Sequence, residues 1–394
     1  MENRNDMPRE IREHLETVIL PFWKGLRDEK NGGYAGYVSY NLAADFGAVK
    51  GCILNSRILW FFSRAAMTLG DASLVPCARH AYDMLCHMTD VKNGGVYWSV
   101  NANGTVCDST KHTYNQAFAI YALSAYAKAS GCRGALAQAT ALFELIEARC
   151  TDELGYLEAF KADWQPESNE KLSENGVMAE KTMNTLLHVL EGYTELYRVG
   201  GDARVRERLY FILGVLEKHI YNPEKRRQEV FFDRTYHSLI DLHSYGHDIE
   251  TSWLADRTLE VLGDDALTAR IRPLLMAMAE ETCEKALTDH GFANECERGR
   301  VDTTRVWWVQ AEALVGFLNA FQKTGEARFL AAAQSQWRYI RDVIVDRRPG
   351  GEWFWCVRED GTPIEKPIVE PWKCPYHNGR MALEVIERSS NAQL

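Results

Sequence analysis

Apolar residues along this chain follow a helical spacing, in two alternating kinds of segment. Residues 10–26 carry apolar side chains on one face and precede Asn31-Gly32-Gly33, which is a stop and turn signal. Residues 54–67 are apolar nearly all round, which is typical of a helix buried on both sides. The alternation continues, with charged amphipathic helices predicted near 71–89, 134–149, 202–219, 265–287 and 327–345, and helices richer in small and aromatic residues near 113–129, 178–198, 247–262, 304–322 and 377–388.

This alternation predicts an all-α fold, an (α/α)6 barrel in which six helical hairpins form a toroid. The amphipathic helices would face solvent and the others would line the axis. Because repeats cannot bury their apolar faces singly, residues 1–394 are expected to form a single domain. Residues 161–175 break the pattern and predict a polar insertion over the mouth of the barrel.

Strand-like aromatic stretches recur with the same period and predict short β-ribbons at the mouth. They are Gly33-Tyr34, Gly95-Val96-Tyr97-Trp98, Gly155-Tyr156, Val230-Phe231-Phe232, Gly291-Phe292 and Gly351-Glu352-Trp353-Phe354-Trp355.

Composition and charge exclude several classes of partner. Hydrophobic residues at 46% and charged residues at 25% are ordinary for a globular protein. The net charge of −10, with no basic cluster, argues against nucleic acid or an anionic membrane as partner. No apolar run reaches the length of a membrane span, and the N-terminus is too polar for a signal peptide. The ten cysteines form no CxxC pair and are expected to be reduced, so we expect a cytoplasmic protein.

One residue with a side chain suited to catalysis or ligand binding recurs in each repeat at a similar phase. The residues are Arg57, Tyr114, His188, His247, Trp308 and His377, separated by 57, 74, 59, 61 and 69 positions. In a toroid, side chains at one phase converge on the axis. The series therefore predicts a single central pocket, and its histidines suggest proton-transfer chemistry.

The three histidines each have a functional and a structural interpretation. His247 and Glu250 are three residues apart on a helix, so a carboxylate could fix and activate the imidazole, although a salt bridge at a helix start has the same spacing. His188 shares a helix face with Asn184, and alone it could be a core residue. His377 follows a proline-bearing loop and could be a helix cap. Their common phase favours catalysis.

Other residue types extend this pocket. Trp308 and Trp372 are predicted beside helix starts at the mouth, where an indole can stack on a sugar ring, whereas most tryptophans should be core. Arg57 lies in an apolar helix, so it should pair with an acid or face a ligand oxyanion. Three histidines and a glutamate could also hold a metal, but they come from separate repeats, so no metal is expected.

Several common cofactor and nucleophile motifs are absent from the sequence. It contains no P-loop, no dinucleotide-binding G-x-G-x-x-G after a strand, no G-x-S-x-G and no H-E-x-x-H. A reaction without cofactors is therefore favoured.

Six segments together resemble the N-acylglucosamine 2-epimerase superfamily, and among its members most closely the cellobiose 2-epimerases. The segments are Asn55-Ser56-Arg57, Lys111-His112-Thr113-Tyr114-Asn115-Gln116, Asn184-Thr185-Leu186-Leu187-His188, Gly246-His247-Asp248-Ile249-Glu250, Val306-Trp307-Trp308-Val309-Gln310 and Trp372-Lys373-Cys374-Pro375-Tyr376-His377. Each segment alone is a weak signal, but all six in order are specific and span nearly the whole chain.

The resemblance implies an (α/α)6 barrel isomerase that converts the reducing-end glucose of a β-1,4-linked disaccharide to mannose without a cofactor, as in cellobiose to 4-O-β-glucosyl-mannose. It also implies roles for residues of this chain. His247 and His377 would be the acid/base pair, with His188 and Glu250 in support. The sugar would be held by Arg57, Asn184, Trp308 and Trp372, and Tyr114 and Trp307 are further predicted binding residues. From the chemistry, Arg57 with His188 could also stabilise the enediolate oxygen.

This chemistry suits the residues. Epimerisation at carbon 2 requires ring opening, removal of the proton beside the aldehyde and its return to the opposite face, which imidazoles can perform. Two bases on opposite faces, or rotation of the enediolate above one base, would both invert the centre.

Alternative functions share parts of this pattern. Epimerisation of N-acetylglucosamine and mannose aldose–ketose isomerisation use the same enediolate. A glycoside hydrolase would need two carboxyl groups, and only Glu312 is a candidate partner for Glu250. A non-catalytic sugar-binding protein would leave the histidines unexplained. A small-molecule disaccharide is the expected partner, and a monomer is favoured over a dimer.

Overall fold

A computed structural model describes residues 6–391, and helices dominate them. In chain order the helices are α1 (Met7–His14), α2 (Leu20–Gly25), α3 (Cys52–Leu69), α4 (Val75–His87), α5 (Thr113–Ser130), α6 (Arg133–Arg149), α7 (Met183–Gly200), α8 (Ala203–Val215), α9 (Tyr245–Leu262), α10 (Asp265–Lys285), α11 (Trp307–Thr324), α12 (Ala327–Tyr339) and α13 (His377–Asn391). Shorter helical turns join or extend them at Leu15–Ile19, Ala72–Leu74, Leu216–Ile220 and Ile340–Ile344.

The odd-numbered helices from α3 to α13 form a closed inner ring. Each packs against the next one along the chain, and α13 packs against α3. The even-numbered helices from α4 to α12 pack outside the ring, and α1 packs on α13, so the first and last described helices meet. The (α/α)6 barrel predicted from the sequence is thereby confirmed.

Burial separates the two sets of helices as the apolar pattern predicts. Every residue of α3 from Cys52 to Ala66 is buried, whereas α4 buries only Ala78, Ala81, Met84 and Leu85. The hairpin turns between inner and outer helices are equally regular. Five inner helices end at a left-handed glycine with φ between 62° and 74°, a conformation that costs other residues energy, and these glycines are Gly70, Gly131, Gly201, Gly263 and Gly325.

Short antiparallel ribbons join successive hairpins at the end where the inner helices begin. The strand before an inner helix pairs with a strand of the next repeat: Lys50–Gly51 with Ser99–Val100, Lys111–His112 with Ala159–Phe160, Lys181–Thr182 with Phe231–Phe232, Leu242–Ser244 with Glu295–Glu297, and Arg305–Val306 with Cys356–Val357. Two of these ribbons have a third strand, because Ser99–Val100 also pairs with Val106–Asp108 and Glu295–Glu297 with Arg300–Asp302. Further ribbons pair Tyr37–Val38 with Ala44–Asp45, Tyr221–Asn222 with Arg227–Gln228, and Leu287–Thr288 with Gly291–Phe292.

The ribbons lie at the predicted end, but one aromatic stretch is out of phase with the others. Tyr34, Val96 and Tyr156 pair with the residues that follow an outer helix. In the fourth repeat Gln228 takes that position and pairs with Tyr221. Phe231–Phe232 instead forms the strand that follows it.

Buried ion pairs hold these short ribbons, a feature not predicted from the sequence. A lysine just before an inner helix binds a carboxylate of the ribbon in four repeats, namely Lys50 with Asp28 at 2.7 Å, Lys111 with Asp90 at 3.0 Å, Lys181 with Asp152 at 2.7 Å and Lys373 with Glu352 at 2.8 Å. Because two-residue strands form few backbone hydrogen bonds, the pairs fix where each inner helix begins.

The insertion at residues 161–175 contains no helix and reaches the mouth of the barrel. Leu172 and Glu174 contribute to the wall of the central cavity. The Asn175 amide donates to Glu297 Oε2 at 3.1 Å on a neighbouring ribbon. Across residues 6–391, no helix has the length and apolar character needed to cross a membrane.

Candidate active site

A cavity of about 410 Å³ opens where the inner helices begin. Its deep end is buried, with Arg57, His188, Glu250 and His377 each less than 10% exposed, and its outer end is formed by more exposed residues such as Glu174 and Lys366. All ten residues predicted to form the site line this one cavity: Arg57, Tyr114, Asn184, His188, His247, Glu250, Trp307, Trp308, Trp372 and His377. Their catalytic and binding roles stay predictions.

His188 is oriented by a carboxylate from its own helix. Its Nδ1 lies 2.9 Å from Glu191 Oε2, one turn further along α7. An ionised carboxylate accepts hydrogen bonds, so Nδ1 of His188 donates to Glu191. Burial alone would raise the pKa of Glu191, but Arg380 and the hydrogen bond from His188 lower it to about 2. The position of His188 is therefore fixed by a permanently charged partner.

His377 is the first residue of α13 and is oriented in the same way. Its Nδ1 lies 2.8 Å from Glu312 Oε1, on the neighbouring helix α11. Burial, together with the charges of Arg57 and Arg380, holds the pKa of His377 well below its usual range. The imidazole is therefore neutral at neutral pH, with an unprotonated Nε2 that can act as a base.

His247 has a different partner from the one predicted. Its Nδ1 lies 2.7 Å from Ser244 Oγ, at the start of α9. Glu250 does not pair with it, because the Glu250 carboxylate accepts from Arg380 and lies 3.9 Å from His377 Nδ1. Burial lowers the pKa of His247 to about 3. His247 is thus also neutral, but without a carboxylate to orient it.

The indole of Trp308 contacts both of these imidazoles. Its ring centroid lies 4.8 Å from that of His247 and 5.3 Å from that of His377. Trp372 stands elsewhere on the wall, 6.0 Å from Trp98 and 6.0 Å from Tyr114 in edge-to-face contacts. Both indoles are partly exposed, as expected for a surface that stacks on a sugar.

Arg57 has no acidic partner among residues 6–391. It donates to the Tyr114 hydroxyl at 2.8 Å and to the Trp372 carbonyl at 3.1 Å. Its guanidinium lies over the rings of Phe118 and Tyr376, at 4.2 and 4.6 Å from their centroids. Of the two predicted arrangements, pairing with an acid is wrong. The buried positive charge lines the cavity and is available to an anion that forms there.

Arg380 joins three carboxylates below the cavity and was missed from the sequence. This fully buried guanidinium donates to Glu191, Glu250 and Glu312. One cation cannot balance three anions, and burial together with repulsion from Glu312 raises the pKa of Glu250 to about 7. Burial also raises the pKa of Glu312. The sequence held one usable signal, since His188-Val189-Leu190-Glu191 has the same H-x-x-E spacing as residues 247–250.

Buried polar atoms without partners also line the cavity. They are Arg57 Nε, Asn184 Oδ1, Glu250 Oε2 and Trp307 Nε1. Leaving a buried polar atom unpaired costs energy, so such atoms in a cavity wall indicate where a polar ligand would form hydrogen bonds.

The geometry bears on two alternatives considered for the sequence. Glu250, Glu312 and His377 lie close enough together to hold a cation, but the Arg380 guanidinium already binds both carboxylates and would repel a metal ion.

Glu312 does stand beside Glu250, so the acidic partner that a glycoside hydrolase needs is present in sequence and space. However, Glu250 lines the cavity and Glu312 lies behind it. Only one carboxylate of this pair could reach a glycosidic bond.

An (α/α)6 barrel with neutral imidazoles around a polar cavity defines an enzyme site suited to proton transfer on a small polar molecule. The chain belongs to the N-acylglucosamine 2-epimerase family, because residues 32–379 match the model of N-acylglucosamine 2-epimerase (GlcNAc 2-epimerase). The resemblance noted from the sequence is confirmed.

The similarity to known proteins extends over nearly the whole chain. It is 50% identical over 384 residues to a cellobiose 2-epimerase of Ruminococcus albus, covering 97% of this chain and 99% of that protein. It is 48% identical over 394 residues to a cellobiose 2-epimerase of Eubacterium cellulosolvens, covering 96% and 97%. The solved cellobiose 2-epimerase of Bacillus thermoamylovorans superposes with a TM-score of 0.94 at 44% identity, covering 98% and 100%.

Proposed function

We propose that this protein epimerises carbon 2 of the reducing-end glucose in cellobiose, giving 4-O-β-glucosyl-mannose through an enediolate. The observation that carries the proposal is the pair of neutral imidazoles, His247 and His377, that contact one indole in the cavity. The similarity to cellobiose 2-epimerases supports the choice of substrate.

The proton-transfer step follows from the states of the two imidazoles. A neutral imidazole can accept the carbon 2 proton of the open-chain sugar, and the resulting imidazolium can return a proton to carbon. Glu312 would stabilise the imidazolium of His377, because its carboxylate accepts from Nδ1. Trp308 contacts both rings, so a sugar stacked on this indole would lie within reach of both.

The enediolate carries negative charge on its oxygens and needs a fixed positive partner. Arg57 supplies one, because its guanidinium is buried, lines the cavity and has no carboxylate to neutralise it. His188 would add a hydrogen bond from the same wall through a protonated Nε2, because its Nδ1 already donates to Glu191. Because both groups are held before substrate binds, little reorganisation is needed when charge develops.

The remaining polar residues of the cavity wall would orient the sugar. Asn184 Oδ1, Trp307 Nε1 and Glu250 Oε2 would bind the hydroxyls of the reacting sugar, which removes their lack of partners. The more exposed outer half of the cavity would hold the second sugar. We also expect one domain, a monomeric state and a cytoplasmic location, with no cofactor.

Proton NMR of the chelator-treated protein with cellobiose in deuterated water tests the proposal. We expect glucosyl-mannose with deuterium at carbon 2. Free glucose would indicate a hydrolase and overturn the proposal. A ketose product would indicate isomerisation instead, and turnover of N-acetylglucosamine or mannose but not cellobiose would reassign the substrate.

Two variants address how the centre is inverted. His247→Asn and His377→Asn should be assayed for carbon 2 exchange from cellobiose and from glucosyl-mannose separately. Two bases on opposite faces predict that each variant loses exchange from a different epimer. A single base with a rotating enediolate predicts that one variant loses exchange from both epimers.

A further inference from the structure

A fully buried histidine outside the cavity connects a catalytic-site helix to the insertion at residues 161–175. His112 precedes α5, and its Nδ1 accepts the backbone N–H of Tyr114 at 3.3 Å. Because Nδ1 is an acceptor, the proton of the neutral ring lies on Nε2. Burial keeps the ring neutral by lowering the pKa of His112 to about 4.

The His112 Nε2 proton points to the insertion. It is donated to Asn169 Oδ1 at 2.9 Å, and the Asn169 amide donates in turn to the Ala179 carbonyl at 3.2 Å. All three residues are at most 4% exposed. The hydrogen bonds therefore run in one direction, from the start of α5 through the insertion to Ala179, two residues before the strand Lys181–Thr182.

The insertion contributes Leu172 and Glu174 to the cavity, three and five residues beyond Asn169. Its other anchors near these residues are more exposed. Lys171 binds Asp108 at 2.7 Å with both side chains more than a quarter exposed, and Asn175 is exposed. Ser173, between the two cavity residues, accepts the Ala179 backbone N–H at 3.1 Å but is only half-buried, so Asn169 is the nearest buried side chain that anchors the insertion by hydrogen bonds.

We propose that His112 and Asn169 are positioning residues that hold Leu172 and Glu174 against the second, non-reacting sugar of a disaccharide. The reacting sugar lies at the buried end, among the imidazoles. The insertion lines the more exposed end, so its placement affects binding of the distal sugar and leaves the chemistry at carbon 2 unchanged. This inference rests on the proposed function.

Variants of His112 can separate its two hydrogen bonds. In His112→Asn the shorter side chain places its amide near the position of Nδ1, so it can cap α5 but cannot reach Asn169. In His112→Gln the longer side chain places its amide near the position of Nε2, so it can still donate to Asn169. We expect His112→Asn and Asn169→Ala to raise KM for cellobiose about tenfold, the size of one well-made hydrogen bond, with kcat within about twofold of wild type. His112→Gln should stay close to wild type in KM.

A double-mutant cycle shows whether Asn169 acts through the insertion. If it does, adding Asn169→Ala to Glu174→Ala should raise KM no further than the larger single change. Equal losses from His112→Asn and His112→Gln, a fall in kcat that matches the rise in KM, or additive effects of the double variant would overturn the proposal.

Amide hydrogen exchange of residues 161–175 without substrate keeps this test separate from the proposed function. Exchange should become faster in His112→Asn and Asn169→Ala but stay unchanged in His112→Gln. If wild type does not act on cellobiose, the proposed function fails, and the exchange data still decide whether the two residues hold the insertion. Unchanged exchange in all three variants would refute the positioning role.

Discussion

Replacing Arg380 with methionine should reveal the charge balance below the cavity. The guanidinium is 1% exposed and holds three carboxylates, of which Glu312 Oε1 lies at 2.7 Å. The pKa of Glu191 is lowered from 4.5 to about 2 in its presence. That shift corresponds to roughly 3 kcal/mol of stability at neutral pH. Removing one side of a buried pair typically costs about 3–5 kcal/mol, so we expect Arg380→Met to lose that much.

The loss should depend on pH in a defined direction. In wild type the lowered pKa of Glu191 contributes stability above pH 4.5, which disappears only as pH falls through about 2. In Arg380→Met, burial without a cation would raise the pKa of the carboxyls, so stability would fall as pH rises. We expect the destabilisation to be larger at pH 8 than at pH 5 by about 1–2 kcal/mol.

Urea unfolding followed by tryptophan fluorescence at pH 5 and pH 8 measures both effects. Arg328→Met is a matched control, because Arg328 binds Glu280 and Glu326 but is 44% exposed. An exposed pair of this kind contributes less than about 1 kcal/mol. A loss in Arg380→Met that equals the control, or that is the same at both pH values, would refute the reasoning.

Three further predictions follow from burial and close packing. Burial raises the pKa of Glu158 from 4.5 to about 7, so the stability of wild type falls as pH rises from 4.5 through 7. The free energy of unfolding of Glu158→Gln, measured by denaturant titration, should therefore increase by about 2 kcal/mol relative to wild type between pH 5 and pH 8. A difference that stays the same at both pH values would contradict this. A Cβ on Gly246 would lie 2.5 Å from the Trp308 ring, so Gly246→Ala should lower kcat/KM at least tenfold. A Cβ on Gly214 would have no atom within 4 Å, so Gly214→Ala should leave kcat/KM unchanged and slightly raise the melting temperature. Equal effects of the two variants would disprove the packing argument. ¹⁵N-histidine spectra should show His247 neutral from pH 8 to about pH 5, and a midpoint near 6.5 would be inconsistent with its burial.

The helices could be predicted because inner and outer positions impose different apolar patterns. The starts of inner helices could not be placed as well. Helices were expected to begin near 178 and 304, but α7 begins at Met183 and α11 at Trp307. The intervening residues include the strands Lys181–Thr182 and Arg305–Val306, which pair with segments about 50 residues further on. A local pattern does not contain that pairing, nor the lysine–carboxylate pairs that hold it.

Six of the ten predicted residues that line the cavity were found because they share one phase of the repeat, and the same phase explains why the layer behind them was predicted only in part, through Glu250 and Glu312. One turn below the upper residues lies a second layer, at three or four positions further along each inner helix: Phe61, Phe118, Glu191, Glu250, Glu312 and Arg380. In the sequence, the charged residues of this layer look like ordinary polar positions on a helix. Their role is visible only in the folded protein, where Arg380 binds Glu250 and Glu191, which are 130 and 189 residues away in the sequence.

This second layer determines what the upper one can do. On the side of α3 and α5 it is aromatic, and Phe118 supports the guanidinium of Arg57 without neutralising it. On the other side it is ionic, so His188 and His377 have carboxylate partners while Arg380 limits the negative charge. The ring thereby combines a buried cation without a carboxylate partner among residues 6–391 with imidazoles that are oriented by carboxylates. That division requires two chemically different halves of one ring, which six equivalent repeats could not provide.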